Sequence, residues 1–359
     1  MDRSRVFGHR MREHRLLGGT AADAVDAVRA MVGAHAQIPS AADLAIGLRL
    51  RAFAGAGEGL TRTFGPRGTV HLLPTADLGH WLPALAAVPG RGAADPYLDA
   101  DRIDQVCAAL GPILADGPRT LVELDEAVPA ALGSWAAEQV IPDFGGLAAR
   151  WRRAIAVAAH RGVLCFGPNR GRRTTYAALP EPPAPQPERA AVQWLAGEYL
   201  RAYGPVTAKD LARWLATDAG WAAAALGSVD GVVRDGDRFD VPRTDEPPAV
   251  AGTVRLLPYF DPYVVGGQPR EVLFPPPVRA RAMTNSQPGT RPVLLVDGVV
   301  AGIWHLARRG RRATLTVETN LRWNRALRSA FDDEIALLET LLDTTAQVVL
   351  GEVAVGGHA

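Results

Sequence analysis

Cysteine and lysine are nearly missing from this 359-residue chain. Only Cys107 and Cys165 occur, both in apolar segments and in neither a CxxC nor a Cys/His spacing. That argues against a disulfide framework and a zinc site and predicts two buried free thiols. Lys209 is the sole lysine, so 38 of the 39 basic residues are arginines. A GC-rich genome produces such a bias, and arginine is also the better fork for phosphate. There is no apolar core behind the N-terminal MDRSRVFGHRMREHRLL, and no uncharged apolar run of membrane-spanning length. The expected location is cytoplasmic, without membrane contact. Phosphate-cradling glycine loops, HExxH, GxSxG and zinc-deaminase signatures are all missing, so neither a cofactor nor a metal is expected.

Excess charge of one sign is missing too. The 39 basic residues face 38 acidic ones, so any attraction to nucleic acid must come from where the charges sit. Apolar residues make up 48% and charged residues 21%, the balance of a globular protein and not of a disordered one. The length implies two to four domains.

Periodicity predicts an α+β fold. Val25, Val28 and Met31 lie at helical spacing over 21–33, with Thr20 as the expected cap, and a second helix capped by Ser40 runs to Leu50. Alternation over Thr69–Leu73 reads as a strand after the turn residues Gly65, Pro66 and Gly68.

The middle of the chain repeats itself. A helix over 102–115 is followed by GPRTLVELDEAV, a helix around Trp151, Ile155 and Ala158, and two strands in VLCFGPNRGRRTTYAAL. A helix over 188–203 is followed by GPVTAKDLARWL, a helical stretch at 219–226, and a hairpin in VVRDGDRFDVP. In both copies Gly-Pro breaks the chain, and Thr precedes an acidic residue by three (Thr120 to Glu123, Thr207 to Asp210). Helix, capped helix, helix and hairpin is the winged helix-turn-helix order. Expected domains are therefore a first, more divergent winged-helix region at 1–95, a second unit at 96–182 and a third at 188–250. The proline-rich EPPAPQPE separates the latter two as a linker. From 251 to 359 the texture is β-rich, with Asp297-Gly298 as a hairpin turn and a terminal helix over 329–343.

Arginines gather in two expected hairpin tips, Arg170, Arg172 and Arg173 in one and Arg308, Arg309, Arg311 and Arg312 in the other. Such tips either grip phosphates and enter a minor groove or are simply solvated turns. A polar pair, His35 and Gln37, interrupts the apolar junction MVGAHAQIP. Two residues apart in an irregular link, an imidazole and an amide can point the same way and hold a water, or can merely satisfy buried backbone groups.

The segments MVGAHAQIPSAADLAIGLRLRA, LTRTFGPRGTVHLLP, LLPYFDPYVVG and RPVLLVDGVVAGIWHL together resemble the winged-helix DNA-binding family that includes the AlkZ-like DNA glycosylases. The resemblance spans nearly the whole chain. It implies tandem winged-helix domains with a β-rich C-terminal part around double-stranded DNA bearing alkylated purines. The Gln-apolar-Gln catalytic motif of those enzymes falls on His35, Ala36 and Gln37, so the first glutamine is replaced by histidine. That variant resembles the branch associated with self-resistance to bulky natural-product alkylators.

The implied chemistry is hydrolysis of an N-glycosidic bond. A purine alkylated at N7 or N3 is a cationic leaving group and departs through an oxocarbenium-like sugar, so water must be positioned beneath C1′. Gln37 accepts from that water and neutral His35 acts as base. With no lysine nucleophile at the motif, the strand is left uncut. An inserted arginine hairpin would bring the pair to the sugar while a bulky adduct stays in the groove. Among further matching positions, Arg67, Thr69 and His71 approach the backbone phosphates or support the active site, unless Thr69 and His71 only pair within their strand. Asp261 either orients a catalytic partner and offsets cationic charge or only forms a turn. Trp304 and Tyr263 read as core. The competing readings are a non-catalytic winged-helix regulator and an architectural nucleic-acid binder; several unlike units in one chain suit a DNA-embracing monomer better.

Overall fold

The computed structural model describes residues 3–18, 21–52, 57–90, 96–143, 146–180, 183–243, 245–246, 250–309 and 312–355. The N-terminal part comprises α1 (Arg3–Glu13), α2 (Ala24–Ala30), β1 (Ala34–His35), α3 (Pro39–Leu50), β2 (Leu60–Phe64), β3 (Val70–Pro74) and α4 (Leu78–Ala86). Thr20 lies outside the described residues; α2 begins at Ala24 because the Asp23 carboxylate caps it, accepting from the Asp26 N–H. Nor does Ser40 cap α3. Pro39 occupies its first turn, where a missing N–H costs nothing, and Ile38 precedes it.

The second stretch contains α5 (Ala100–Ala115), β4 (Arg119–Thr120), α6 (Leu121–Leu132), β5 (Gln139–Asp143), β6 (Gly146–Ala149), α7 (Ile155–His160), β7 (Leu164–Phe166) and β8 (Thr175–Ala178). The third contains α8 (Glu188–Tyr203), β9 (Val206–Thr207), α9 (Ala208–Leu215), α10 (Ala219–Gly227), β10 (Val233–Asp235) and β11 (Arg238–Asp240). Both Thr-to-acid pairs act locally. The Glu123 carboxylate accepts from the Thr120 N–H at 2.6 Å, and Asp210 does the same for Thr207 at 2.8 Å.

One device recurs in all three stretches. A two-residue strand pairs antiparallel with the second strand of a later hairpin: β1 with β3, β4 with β8, and β9 with β11. Each makes a three-stranded sheet. Thr120 and Thr207 end the short strand in the second and third stretches and lead straight into a helix. In the first stretch His35 ends the strand, and Ala36, Gln37 and Ile38 intervene before α3.

The C-terminal part runs through β12 (Val254–Leu257), α11 (Pro262–Gly266), α12 (Arg270–Leu273), α13 (Val278–Ala282), β13 (Val293–Val296), β14 (Val299–Arg309), β15 (Arg312–Thr319), α14 (Arg325–Leu342) and β16 (Thr345–Leu350). Its five-stranded sheet follows the order β12-β13-β14-β15-β16, antiparallel except for the last, parallel pair. Strand β16 is a difference from the sequence expectation, because TAQVVL carries too little alternation to separate from the helix before it. Phe331, Ile335, Leu338 and Leu341 of α14 enter the core beneath the sheet. Trp304 donates its indole N–H to the Leu257 carbonyl and Tyr263 its hydroxyl to that of Gly298, both buried. Both cysteines are buried free thiols.

The first stretch keeps a small core of its own, including Val28, Met31, Ala34, Ile46 and Leu72, and shares its remaining apolar residues with other parts. Phe7, Met11 and Leu16 of α1 and its following turn, with Leu44 and Leu48 of α3, join the C-terminal core. Trp81, Leu82 and Leu85 of α4 pack instead with Leu195, Tyr199 and Trp214 of the third stretch. The proline-rich segment is likewise packed in its described part, since the Gln186 N–H donates to the Gly79 carbonyl at 2.8 Å. Helix α3 thus joins the local core around β1, through Ala42, Ala45 and Ile46, to the C-terminal core, through Leu44 and Leu48.

Candidate active site

His35 and Gln37 open on a cleft of about 640 Å³. Its walls come from three places: Arg67 and Thr69 from the turn between β2 and β3, Arg213 from α9, and Phe260 through Thr290 of the C-terminal part, including Gln268, Arg270 and Arg279. Four arginines face one glutamate, Glu271, so a chain that is neutral overall carries a positive cleft.

The imidazole of His35 is fixed by its neighbours. It stacks on Phe260 with ring centroids 4.7 Å apart and planes 18° from parallel, and His71 lies 5.0 Å away at a tilt of 56°. His71 is the residue opposite His35 in the β1–β3 register. Its Nδ1 meets the Thr69 carbonyl at 2.8 Å, and it stands behind His35, outside the cleft lining. Among the described residues the Nδ1 of His35 is buried without a partner, which leaves Nε2 as the nitrogen able to reach the cleft. Burial first, and the Arg67 guanidinium second, push the His35 pKa down to about 4, so the ring is neutral at physiological pH. Gln37 is exposed, and its side chain makes no hydrogen bond among the described residues.

Arg67 reaches this position through its backbone. It sits at φ +58° in a turn closed by hydrogen bonds from the Gly65 N–H to the Thr69 carbonyl at 2.9 Å and from the Thr69 hydroxyl to the Pro66 carbonyl at 2.9 Å. Among the described residues its guanidinium has no hydrogen bond or ion pair, and burial lowers its pKa. Arg270 is pushed down to about 10, by burial and then by Arg213, Arg67 and Arg279. Both remain cations. Desolvated guanidinium groups repelling one another form a ready seat for an anion with several oxygens, such as a phosphodiester.

The other expected site residues lie elsewhere. Asp261 is fully buried beneath Phe260, paired with Arg49 and capping α11 through the Tyr263 N–H at 3.0 Å; it does not line the cleft. Arg170 is bound to Glu123 at 2.7 Å and to the Pro118 carbonyl at 2.6 Å, whereas Arg172 and Arg173 are exposed on the β7–β8 connection. Arg308 and Arg312 are exposed at the end of the β14–β15 hairpin. Arg311 and the side chain of Arg309 lie outside the described residues. Among those described, no group of three His, Cys, Asp or Glu side chains could hold a metal ion. No described helix is long and apolar enough to cross a membrane.

Sequence reasoning missed Phe260, Arg213, Gln268, Arg270 and Arg279. Phe260 was legible as the neighbour of Asp261 in FDPY; Arg213 is an outward position of an amphipathic helix; the others fall in a proline-broken segment with no periodicity to orient them.

A mixed α+β protein with a basic cleft and a His/amide pair at the end of a short strand is the class these observations define. A family model described as DNA glycosylase AlkZ-like matches residues 28–341, and the chain belongs to that family. It is 30% identical over 333 residues, covering 84% of this chain and 87% of the relative, to an interstrand DNA cross-link repair glycosylase of Streptomyces sahachiroi. Among solved structures, the DNA glycosylase AlkZ of the same organism superposes over 97% of this chain and 100% of its own, with a TM-score of 0.77 at 24% identity. That second likeness concerns the fold.

Proposed function

We propose that the chain is a monofunctional DNA glycosylase that hydrolyses the N-glycosidic bond of purines alkylated at N7 or N3. Bulky adducts of genotoxic antibiotics and interstrand cross-links fall within its scope. The named activity of the cross-link repair relative supports that class of substrate. In this reading the three stretches with a short strand and hairpin are winged-helix units of a monomer that embraces double-stranded DNA.

The observation that carries the proposal is the placement of His35 and Gln37 in one arginine-lined cleft, with His35 held neutral. Departure of a cationic purine needs little acid catalysis. What remains is to hold a water against the anomeric carbon and take its proton as the C–O bond forms. Gln37 accepts one hydrogen of that water through its carbonyl; Nε2 of His35 accepts the other. A base with a pKa of about 4 is weak. It suffices here because water bound to an oxocarbenium carbon is itself strongly acidic, so orientation matters more than basicity. Arg67, Arg213, Arg270 and Arg279 seat the flanking phosphates, and Arg172, Arg173, Arg308 and Arg312 extend the contact along the duplex.

The test is a duplex containing N7-methylguanine, incubated with the protein and then heated in alkali to break the strand at abasic sites. Breaks are expected, falling about 10²- to 10⁴-fold in rate with His35→Ala or Gln37→Ala. Breaks that persist undiminished in both variants would refute the site. No breaks with any of a panel of alkylated duplexes would favour the regulator.

A further inference from the structure

We propose that Phe260 is a positioning residue for the reaction: its ring, stacked on the His35 imidazole, holds the plane of that ring and keeps water off one face of the base. The inference rests on the reading of His35 as the base given above.

A histidine that works as a base ordinarily has its second nitrogen tied to a carbonyl or carboxylate, which sets the tautomer and the ring angle. His35 has no such tie, because its Nδ1 is buried without a partner. Orientation must come from the neighbouring rings. His71, tilted by 56°, is held by the Thr69 carbonyl, and Phe260, nearly parallel to the imidazole at 4.7 Å, covers a face of it. For Nε2 to accept a proton from water, Nδ1 must carry the ring's own hydrogen, at the buried edge of the imidazole.

Phe260 is itself held by specific structure. Its backbone sits at φ +55°, an uncommon state for an aromatic residue, and its N–H donates to the Gly289 carbonyl at 2.8 Å. A Cβ on Gly289 would stand 2.9 Å from the Phe260 Cα, so residue 289 can carry no side chain while Phe260 keeps this place. The next residue, Asp261, is locked to Arg49 of α3. Since α3 follows His35 and Gln37, the buried pair fixes the spacing between the aromatic wall and the motif. Asp261 thereby serves the site without touching substrate.

The charged and titratable groups facing His35 are Arg67 from the β2–β3 turn and His71 from β3, with Arg213 of α9, Arg270 and Glu271 of α12, and Arg279 of α13 lining the rest of the cleft. None of these is altered by a substitution at 260. A shift in His35 titration caused there therefore reports the covering ring and not a lost charge.

The experiment uses the full chain with labelled histidine, NMR titration of His35, and single-turnover cleavage of the N7-methylguanine duplex. Phe260→Leu is expected to raise the His35 midpoint from about 4 by at least about one pH unit toward the ordinary 6.5. It should also slow cleavage roughly tenfold or more with DNA affinity unchanged, while Phe260→Tyr keeps both properties near the parent. An unmoved midpoint with Phe260→Leu overturns the proposal, whether or not the rate falls. Should that variant lose its near-UV circular dichroism, Phe260→Met is read in the same way. Because the midpoint is measured without turnover, failure of His35 as base, shown by undiminished cleavage with His35→Ala, is distinguishable from failure of Phe260 to shield it.

Discussion

Arg49 and Asp261, 212 residues apart in the chain, meet through two hydrogen bonds of 2.9 and 3.0 Å with neither side chain exposed to solvent. A forked pair of this kind holds only while both charges are present, since either one left alone is buried without compensation. Asp261→Asn is therefore expected to lower unfolding stability by about 3–5 kcal/mol in chemical denaturation. A loss below about 1 kcal/mol would show that the pair does not fasten α3 to the start of α11.

The guanidinium of Arg67, unpaired among the described residues, should be felt in DNA binding. Arg67→Ala removes a phosphate partner, so the slope of log affinity against log salt should fall by about one, equally on alkylated and plain duplex. Fluorescence anisotropy at several salt concentrations measures it. An unchanged slope would place Arg67 off the backbone.

The two arginines flanking the β7–β8 tip behave differently from their neighbour. Arg170 is spent on Glu123, whose carboxyl is held at about 2 chiefly by the Thr120 N–H and hydroxyl and then by Arg170. Arg172→Ala with Arg173→Ala should weaken DNA binding, whereas Arg170→Ala should leave it nearly intact and loosen the start of α6. Equal losses in anisotropy from both sets would contradict that division.

What was legible in advance was whatever local chemistry encodes. Thr120 with Glu123 and Thr207 with Asp210 mark helix starts because their hydrogen bonds span three residues; Asp297-Gly298 marks a turn because its backbone demands it, with φ of +52° and +80°. His35 and Gln37 stood out as polar residues in an apolar run. Asp261 was visible as an acid before proline, but not its partner, because nothing in either neighbourhood signals a contact across more than two hundred positions. The same holds for the cleft itself. Arg213, Arg270 and Arg279 converge on His35 only through packing of α9, α12 and α13, and the sharing of α1, α3 and α4 among different cores leaves no periodic trace.

Gly65 tests how tightly the rear of the site is built. Its φ of −110° would suit any residue, yet a Cβ there would lie 2.6 Å from the His71 ring. Gly65→Ala must displace the His71 ring, which lies 5.0 Å from that of His35, and overpacking of this kind costs about 1–3 kcal/mol. Cleavage should fall with it, by more than with Gly68→Ala, whose Cβ would meet nothing within 4 Å, although its φ of +69° makes that control mildly strained. Equal activity in the Gly65 variant and the parent would mean that His71 can yield freely.

Acid should act on this protein through its buried histidines. His9, His14 and His35 all have pKa values below the ordinary 6.5, His14 well below, with burial the leading cause in each. The unfolded chain therefore binds protons that the folded chain refuses. Stability from these groups is complete above about 6.5 and is lost as pH falls toward the folded values, about 4 for His35, which alone accounts for roughly 3 kcal/mol. Glu334 opposes this trend, because burial raises its carboxyl pKa and favours the folded state in acid. Cleavage should follow His35 and not the ordinary imidazole: level from pH 8 down to about 5, then falling as Nε2 is protonated. Single-turnover rates across that range, with folding checked at each pH by circular dichroism, decide the matter. A midpoint near 6.5 in a protein that is still folded would mean that the working base is a solvated group and not the imidazole enclosed by Phe260 and His71.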